Sequence, residues 1–388
     1  EQEENKMLQG KTVLLGVTGG IAAYKMPNVA RMLKKMHCNV HVLMTQNATN
    51  FITATTFETL TGNKCLIDTF DRNFEFSVEH VALAKQADLV LLAPATANVI
   101  GKIANGIADD MLTTTVMACT CKVLVAPAMN HNMYHNSIVQ ENLEKLKRHG
   151  YEMIDPVCGM LANGDTGDGK LPSEETLVEY VLRELAFEKD MQGLKVLVTA
   201  APTQEAIDPV RFISNHSTGK MGYAIAKNAM LRGAEVTLVT GRTALEPPMF
   251  VKTVPVTSAK DMYQAVMECA KEQDIIVKAA AVADYTPAHT ADEKIKKSEG
   301  ELSLALEKTT DILAELGKNK GNTVLCGFSM ETEHMLENSR AKRKKKNLDM
   351  IAANNLKQQG AGFAGDTNVL TLITEDWEKE LALMSKDE

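Results

Sequence analysis

Residues 80–130 read HVALAKQADLVLLAPATANVIGKIANGIADDMLTTTVMACTCKVLVAPAMN. Two apolar runs, Leu89 to Ala93 and Val123 to Ala126, each lead into Ala-Pro-Ala. Short apolar runs closed by a proline are the pattern of buried parallel strands. The proline is expected to stop each strand and deliver the next residues to its carboxyl end, where open α/β sheets bind ligands. Those residues are Thr96 and Asn98 after the first run, Met129 and Asn130 after the second. Between the runs lies a helix-like segment with apolar Val99, Ile100, Ile103, Ala104 and Ile107, closing on Gly106 and Asp109-Asp110. The stretch holds no Ser-His-Asp arrangement and no metal-ligand cluster, so a bound cofactor is expected to carry the hard chemistry.

Working outward, Thr12 to Val17 reads as a first strand and Ile21 to Lys35 as the helix after it, with Pro27 making its start irregular. The turn between them is Gly16-Val17-Thr18-Gly19-Gly20. Its glycines let backbone approach a phosphate at a helix N-terminus, although a plain strand-to-helix turn reads the same way. The second strand, Val40 to Met44, runs into Thr45-Gln46-Asn47 without the acidic residue that holds a dinucleotide ribose. Residues 50–80 read as a connection ending at His80, and a lone histidine is ordinarily structural. Gly159 to Pro172 is a glycine-rich loop able to close over a site. Ser173 caps a helix reaching Glu188, and a break at Asp190-Met191-Gln192-Gly193 divides the chain into residues 1–190 and 191–388.

The second half restarts the pattern. Leu194 to Thr199, Ala234 to Thr240, Ile275 to Ala281 and Asn368 to Ile373 read as strands, and Tyr223 to Arg232 as a helix. Two three-layer α/β domains follow, a flavodoxin-like or Rossmann-like domain and then a second Rossmann-like domain. The 388 residues suit two domains, and the 24% charged and 45% hydrophobic content suits a globular protein. A net charge of −8 argues against nucleic acid. Seven irregularly spaced cysteines and the absence of a signal-peptide pattern at EQEENK point to a reducing cytoplasm. Cys119 and Cys121 read as small packed residues.

Taken together, His80, APATAN, GIADD, PAMN, RFISNHSTGKMG (Arg211 to Gly222), AAVADY and KIKK resemble the bacterial bifunctional phosphopantothenoylcysteine decarboxylase/phosphopantothenate–cysteine ligases of coenzyme A synthesis. The resemblance spans about Leu8 to Ile373. For the first half it implies FMN, held by Gly16, Thr18, Gly19, Gly20, Thr45, Ala95, Thr96 and Asn98. It implies His80 as the proton-removing base and Asn130, with Met129, on the substrate carboxylate. An amide donates two hydrogen bonds without fixing the carboxylate in a salt bridge, which suits a group that must leave as CO2. The bland reading of Asn130 is a helix N-cap. The implied reaction oxidises the terminal cysteine unit to a thioaldehyde, loses CO2 to give an ene-thiol, and returns a hydride and a proton. The family's proton-donating cysteine falls at Asn163, and an amide cannot donate a proton near neutrality. The decarboxylase half is therefore expected to stall after CO2 loss.

For the second half the resemblance implies CTP-dependent activation of 4′-phosphopantothenate as an acyl-cytidylate, followed by attack of the cysteine amine. Lys278, Ala279 and Ala280 would meet the base through their backbone, Asp284 the Mg²⁺, and Lys294 the reacting phosphate. Thr309, Thr310, Asp311, Ile312 and Phe328 would contact the nucleotide. Lys342 and Lys346 would close on the triphosphate, although a basic run is ordinarily a solvated helix end. Arg211 and Asn215 would meet substrate, Asn215 serving the second step. The family implies homo-oligomers: trimers of the flavin domain, stacked into dodecamers, and dimers of the ligase domain. No nucleic-acid or membrane partner is expected. Two alternatives remain at this point: a nicotinamide-dependent oxidoreductase with two Rossmann-like domains, disfavoured by the missing GxGxxG and strand-end acids, and a non-catalytic flavin-binding regulator.

Overall fold

The apolar runs of the first half form one parallel sheet. In a computed structural model that describes residues 6–69, 79–160, 166–296, 303–331, 334–355, 365 and 367–387, the chain divides into two units, residues 1–187 and 188–388. In the first, β1 (Thr12–Val17), β2 (Asn39–Met44), β3 (Leu89–Ala95), β4 (Lys122–Pro127) and β5 (Glu152–Met153) pair in the order β2-β1-β3-β4-β5, all parallel. This is the flavodoxin-like winding, and its order reverses between β1 and β3. Every residue of β3 is buried, as expected for a strand covered on both faces.

The helices supply that cover. They are α1 (Met26–Lys35), α2 (Ala54–Thr61), α3 (Glu79–Gln86), α4 (Ala97–Ala104), α5 (Met111–Ala118), α6 (His131–Tyr134), α7 (Ser137–Arg148) and α8 (Glu174–Leu185). Val99, Ile100 and Ile103 of α4 pack with Leu14, Val90, Leu92, Leu112 and Val125. Each such side chain contributes at most about 1.5–3 kcal/mol by leaving water. A short hairpin, β6 (Val157–Met160) with β7 (Thr166–Lys170), follows the sheet.

Several boundaries differ from expectation. The prolines do not stop the strands: β3 runs through Pro94 to Ala95 and β4 includes Pro127, with the ladder irregular between Leu92 and Ala95. Pairing of β3 with β1 ends at Leu92 and pairing with β4 slips before Ala95, so Pro94 removes no ladder bond. α4 ends at Ala104 and α5 begins at Met111 under an Asp110 capping box, so Ile107 lies outside both and is exposed. As expected from Pro27, the helix after β1 begins as a 3₁₀ turn, Ile21–Lys25. The connection 50–80 contains α2, and the glycine-rich loop is the β6–β7 hairpin.

The second unit uses the other winding. Its strands are β8 (Lys195–Ala200), β9 (Gln204–Ala206), β10 (Phe212–Ser214), β11 (Glu235–Thr240), β12 (Lys252–Pro255), β13 (Ile275–Lys278), β14 (Tyr285–Pro287), β15 (Leu306–Lys308), β16 (Val324–Glu331), β17 (Met350–Asn355), β18 (Thr367–Asn368), β19 (Leu370–Ile373) and β20 (Glu378–Glu380). The main sheet runs β12-β11-β8-β13-β16-β17-β19-β20. Its first six strands are parallel in the Rossmann order and the last two antiparallel. The order reverses between β8 and β13. The flanking helices are α9 (Lys220–Leu231), α10 (Ala259–Cys269), α11 (Ile312–Asn319) and α12 (Met335–Lys345). α9 starts three residues before the expected Tyr223, because Gly219, at φ +85°, turns the chain into it early. β13 ends at Lys278, three residues short of Ala281.

Candidate active sites

At the switch point of the first unit, the glycine turn after β1 meets the start of α4 after β3. Thr18 is fully buried and joins them: its hydroxyl donates to the Pro94 carbonyl at 2.5 Å and accepts from Thr96 N–H at 3.0 Å. That proton is committed, so the turn offers a ligand backbone rather than this hydroxyl. Gly16 is glycine because a Cβ would lie 2.5 Å from Leu92 Cδ2. A Cβ on Gly19 would lie 2.5 Å from Asn47, so the turn can rest against the segment that Thr45 opens. On Gly20 a Cβ would meet nothing nearer than Thr96 Cγ2 at 3.7 Å, which leaves that side open. Thr96 caps α4, Ala95 is buried with its carbonyl accepting from Ala128 N–H, and Asn98 is exposed. A neutral cradle at a helix N-terminus, with no acid beside it, fits a phosphate-bearing cofactor such as FMN.

Asn130 is a helix N-cap. Its side-chain oxygen caps α6 by accepting from Asn132 N–H at 2.9 Å. Its NH₂ group has no partner among the described residues, so it can still donate to a carboxylate. Met129 packs on the core and its N–H donates to Gly169 of β7 at 3.0 Å. His80 is the second residue of α3 and partly exposed, and among the described residues no hydrogen bond joins it to Asn130. Asn163 lies outside the described residues. Cys158 is exposed on β6, and Cys119 and Cys121 are half-buried against the core.

In the second unit a cavity of about 870 Å³ opens at the carboxyl ends of β8, β13 and β16. One wall is Ser214 to Gly222, containing Asn215, whose amide nitrogen donates to Ala281 O at 3.1 Å. A Cβ on Gly222 would stand 2.5 Å from Ala200 Cβ, so glycine lets the start of α9 reach the end of β8. The floor is Lys278 to Asp284. The N–H groups of Ala279 and Ala280 donate to Thr199 O and Oγ1 at 3.2 and 3.1 Å. This stretch therefore has carbonyl oxygens left to offer a base. The Asp284 carboxylate is exposed in the cavity and has no partner among the described residues. A single free carboxylate suits Mg²⁺, which usually takes one or two carboxylates and completes its shell with phosphate oxygens and water.

The third wall carries the charge. Thr309 donates to Ala283 O at 2.6 Å, Thr310 lines the opening, and Asp311 caps α11 above buried Ile312. Lys346 pairs with Asp311 at 2.8 Å, and Lys342 donates to Phe328 O at 3.0 Å. Burial pushes the Asp311 carboxyl up, but Lys346 and the Ala314 N–H outweigh it and hold it below its ordinary value. Lys278 lines the cavity with no hydrogen-bond or ion-pair partner among the described residues. Burial, then Lys342 and Lys346, lower its pKa to about 8, against the pull of Asp311 and Asp284. A Cβ on Gly317 would lie 1.9 Å from Lys346 O, so glycine there sets where α12 delivers its lysines.

Two expected residues stand elsewhere. Arg211 and Lys294 do not line the cavity. Arg211 is held by the buried Asp208 at 2.9 Å through Nε and donates to Ile295 O at 2.7 Å, while Lys294 is exposed beside Ile295. The Arg211 guanidinium and three backbone N–H groups hold the Asp208 carboxyl well below its usual range.

The chain matches the model of the Flavoprotein family over residues 1–186 and that of the DNA/pantothenate metabolism flavoprotein C-terminal domain over residues 191–388. It is 46% identical over 384 residues to the coenzyme A biosynthesis bifunctional protein CoaBC of Bacillus subtilis, covering 98% of this chain and 95% of that protein. The chain belongs to the CoaBC family. Like that family it is a bifunctional enzyme of coenzyme A biosynthesis, joining a ligase to a flavin-dependent decarboxylase. Two solved structures align with one half each. The C-terminal domain of a CoaBC protein is 43% identical over 51% of this chain and 90% of its own, with a TM-score of 0.44. A PPC decarboxylase mutant complexed with pantothenoylaminoethenethiol is 28% identical over 44% of this chain and 96% of its own, with a TM-score of 0.40. The nicotinamide and regulator alternatives are not favoured by membership of CoaBC.

The structure also adds cavity residues that sequence reasoning missed. Asn354, at the end of β17, is 3% exposed, and its side-chain oxygen has no donor among the described residues. Asn368 and Lys386 line the same cavity from the last segments of the chain. Their signal is tertiary: neither periodicity nor a motif marks them.

Proposed function

We propose that the second unit ligates cysteine to 4′-phosphopantothenate using CTP and Mg²⁺, and that the first decarboxylates the product with FMN. The observation that carries the reading is the β8/β13 cavity, where Lys278, Lys342 and Lys346 converge with Asp284 and Asp311. A triphosphate brings negative charge that such lysines neutralise, and a free carboxylate beside them holds the metal. The phosphopantothenate carboxylate attacks the α-phosphate, forming an acyl-cytidylate and releasing pyrophosphate. Cysteine's amine then displaces CMP, with Asn215 beside the reacting carbonyl. Carbonyl oxygens at Ala279 and Ala280 suit the exocyclic amine of cytosine, which uracil lacks. Arg211 and Lys294 share one loop cluster outside the cavity wall, and their roles toward substrate and phosphate require that cluster to move inward.

In the first unit FMN, seated on Gly16, Thr18, Gly19, Gly20, Thr45, Ala95, Thr96 and Asn98, supplies the two-electron chemistry. The Asn130 NH₂ group, with Met129 beside it, holds the substrate carboxylate. His80 removes a proton. Asn163 cannot return one, so turnover stops after CO2 loss. No helix among the described residues is long and apolar enough to cross a membrane, in keeping with a cytoplasmic enzyme. Exposed Ile21, Tyr24 and Phe51 on the first unit and Val210 and Phe212 on the second favour homo-oligomers, trimers through the flavin unit and dimers through the ligase unit, combining into a dodecamer.

Mass spectrometry of the products from 4′-phosphopantothenate, cysteine, CTP and Mg²⁺ tests this directly. The expected products are phosphopantothenoylcysteine and a species lacking CO2 and two further hydrogens. Fully reduced 4′-phosphopantetheine would overturn the reading of Asn163. No CTP-dependent product would overturn the reading of the cavity.

A further inference from the structure

Neither proposed reaction uses the side chains that meet where the β6–β7 hairpin touches α6. His131 and His135 are four residues apart, and the His135 N–H still donates to His131 O at 3.0 Å, so helical spacing holds and both rings leave the same face. Their centroids are 4.4 Å apart. Asp168 comes from β7 opposite them. Its N–H donates to His131 Nδ1 at 3.2 Å, and its Oδ2 lies 3.1 Å from His135 Nε2. The hairpin is registered there by Met129 N–H on Gly169 O, and by the bare Gly169, whose Cβ would stand 2.3 Å from Met129 O.

The donor chemistry is specific. The Asp168 N–H that donates to His131 Nδ1 marks that nitrogen as unprotonated, and a metal ion would take the place of this N–H on the same lone pair. His135 Nε2 and Asp168 Oδ2 already face each other at 3.1 Å, where a cation would bridge them. The ligand atoms of the three residues lie within 4.8 Å of one another. Zinc bonds to imidazole nitrogen and carboxylate oxygen are about 2.0–2.2 Å, which sets tetrahedral ligand atoms roughly 3.3 Å apart. The contraction needed is a side-chain rotation, and His135 and Asp168 are 49% and 45% exposed and free to make it. Two imidazoles and one carboxylate form a donor set for first-row dications, not for Mg²⁺ or Ca²⁺.

We propose that His131, His135 and Asp168 form a transition-metal site, with zinc as its probe, that staples the β6–β7 hairpin to the segment carrying Met129 and Asn130. Such an ion bridges two chain segments and stiffens the hairpin beside the carboxylate-binding amide. The site belongs to the flavin-binding unit and is independent of the ligase cavity.

Calorimetric titration of the full chain with ZnCl₂ tests the proposal, using His135→Gln and Asp168→Asn as variants and leaving all seven cysteines in place. The expected result is one zinc per chain in the unchanged protein and an affinity at least tenfold weaker in each variant. Added zinc should also raise the melting temperature of the unchanged protein and not that of the variants. Equal affinity in all three proteins would assign the zinc to thiols and overturn the proposal, as would no binding at all. If one variant misfolds, as judged by circular dichroism and retained ligase activity, the other decides.

Discussion

The two proposed ligand sites occupy equivalent places in their sheets, outside the strand ends where the order reverses, and yet differ in charge. The β1/β3 site is built from glycines, a buried threonine, a capping threonine and an asparagine amide. The β8/β13 site is lined by six lysines, two aspartates and a glycine-started helix. A cofactor that brings its own reactivity needs shape and neutral hydrogen-bond donors. A polyanionic substrate that is consumed needs its charge matched and released each turnover. The same architecture thus serves as cradle in one half and as electrostatic vice in the other.

The largest test of this contrast is Asn163→Cys. A thiol at the position where the resemblance implies the proton donor should raise the yield of fully reduced product by roughly 10²-fold or more, read by mass spectrometry. An unchanged yield would mean that the neutral site has another proton donor. The charged site is tested by Lys278→Met, which should weaken CTP binding about 10- to 100-fold in calorimetry near pH 7. The accompanying pH dependence has a definite sign. Phosphate favours the ammonium form, so binding to the unchanged protein should be tight below pH 8 and weaken as pH rises through the Lys278 pKa of about 8. The methionine variant should show a shallower curve over that window. Without nucleotide the sign for stability is opposite: a lysine whose folded pKa lies below its ordinary value of 10.5 penalises the folded state fully below about pH 8, and the penalty fades as pH rises toward 10.5.

Gly169→Ala should cost about 1–3 kcal/mol, because the residue sits at φ +118° and its Cβ would press on Met129 O. Thermal melting of the flavin unit should report this while ligase turnover stays unchanged. Lys102→Ala should do least. Its ion pair with Asp109 at 2.8 Å is solvent-exposed, and the melting curve should shift by less than the equivalent of about 1 kcal/mol.

Two α/β domains with parallel strands were legible from apolar runs and turn glycines, because buried parallel strands leave a local mark in sequence, whereas the strand order that separates flavodoxin-like from Rossmann-like winding was not. The capping roles of Asn130 and Ser173 were legible for the same reason, as a cap acts within three residues of itself. Strand ends were less so: Pro94 and Pro127 look like stops, but at a sheet end no partner requires the missing N–H. The cavity's far wall was illegible, since Asn354 comes from β17 and Asn368 and Lys386 from the segments that follow it, far in sequence from the Lys278 they share the cavity with. His131 and His135 carried a visible four-residue spacing, but the Asp168 that completes the cluster comes from a hairpin whose pairing no local pattern fixes.

Asn130 holds a cap with its oxygen and leaves its NH₂ group unpaired. One planar amide therefore performs two jobs on opposite edges, and the jobs are separable by a single atom. Asn130→Asp would keep an oxygen for the Asn132 N–H and put a second oxygen where the donor was. The fold would be indifferent to that exchange while the carboxylate it must greet would be repelled. Selection on stability alone is blind at this position. On the proposed reading recognition is exerted through the amide nitrogen, which has no hydrogen-bond partner among the described residues.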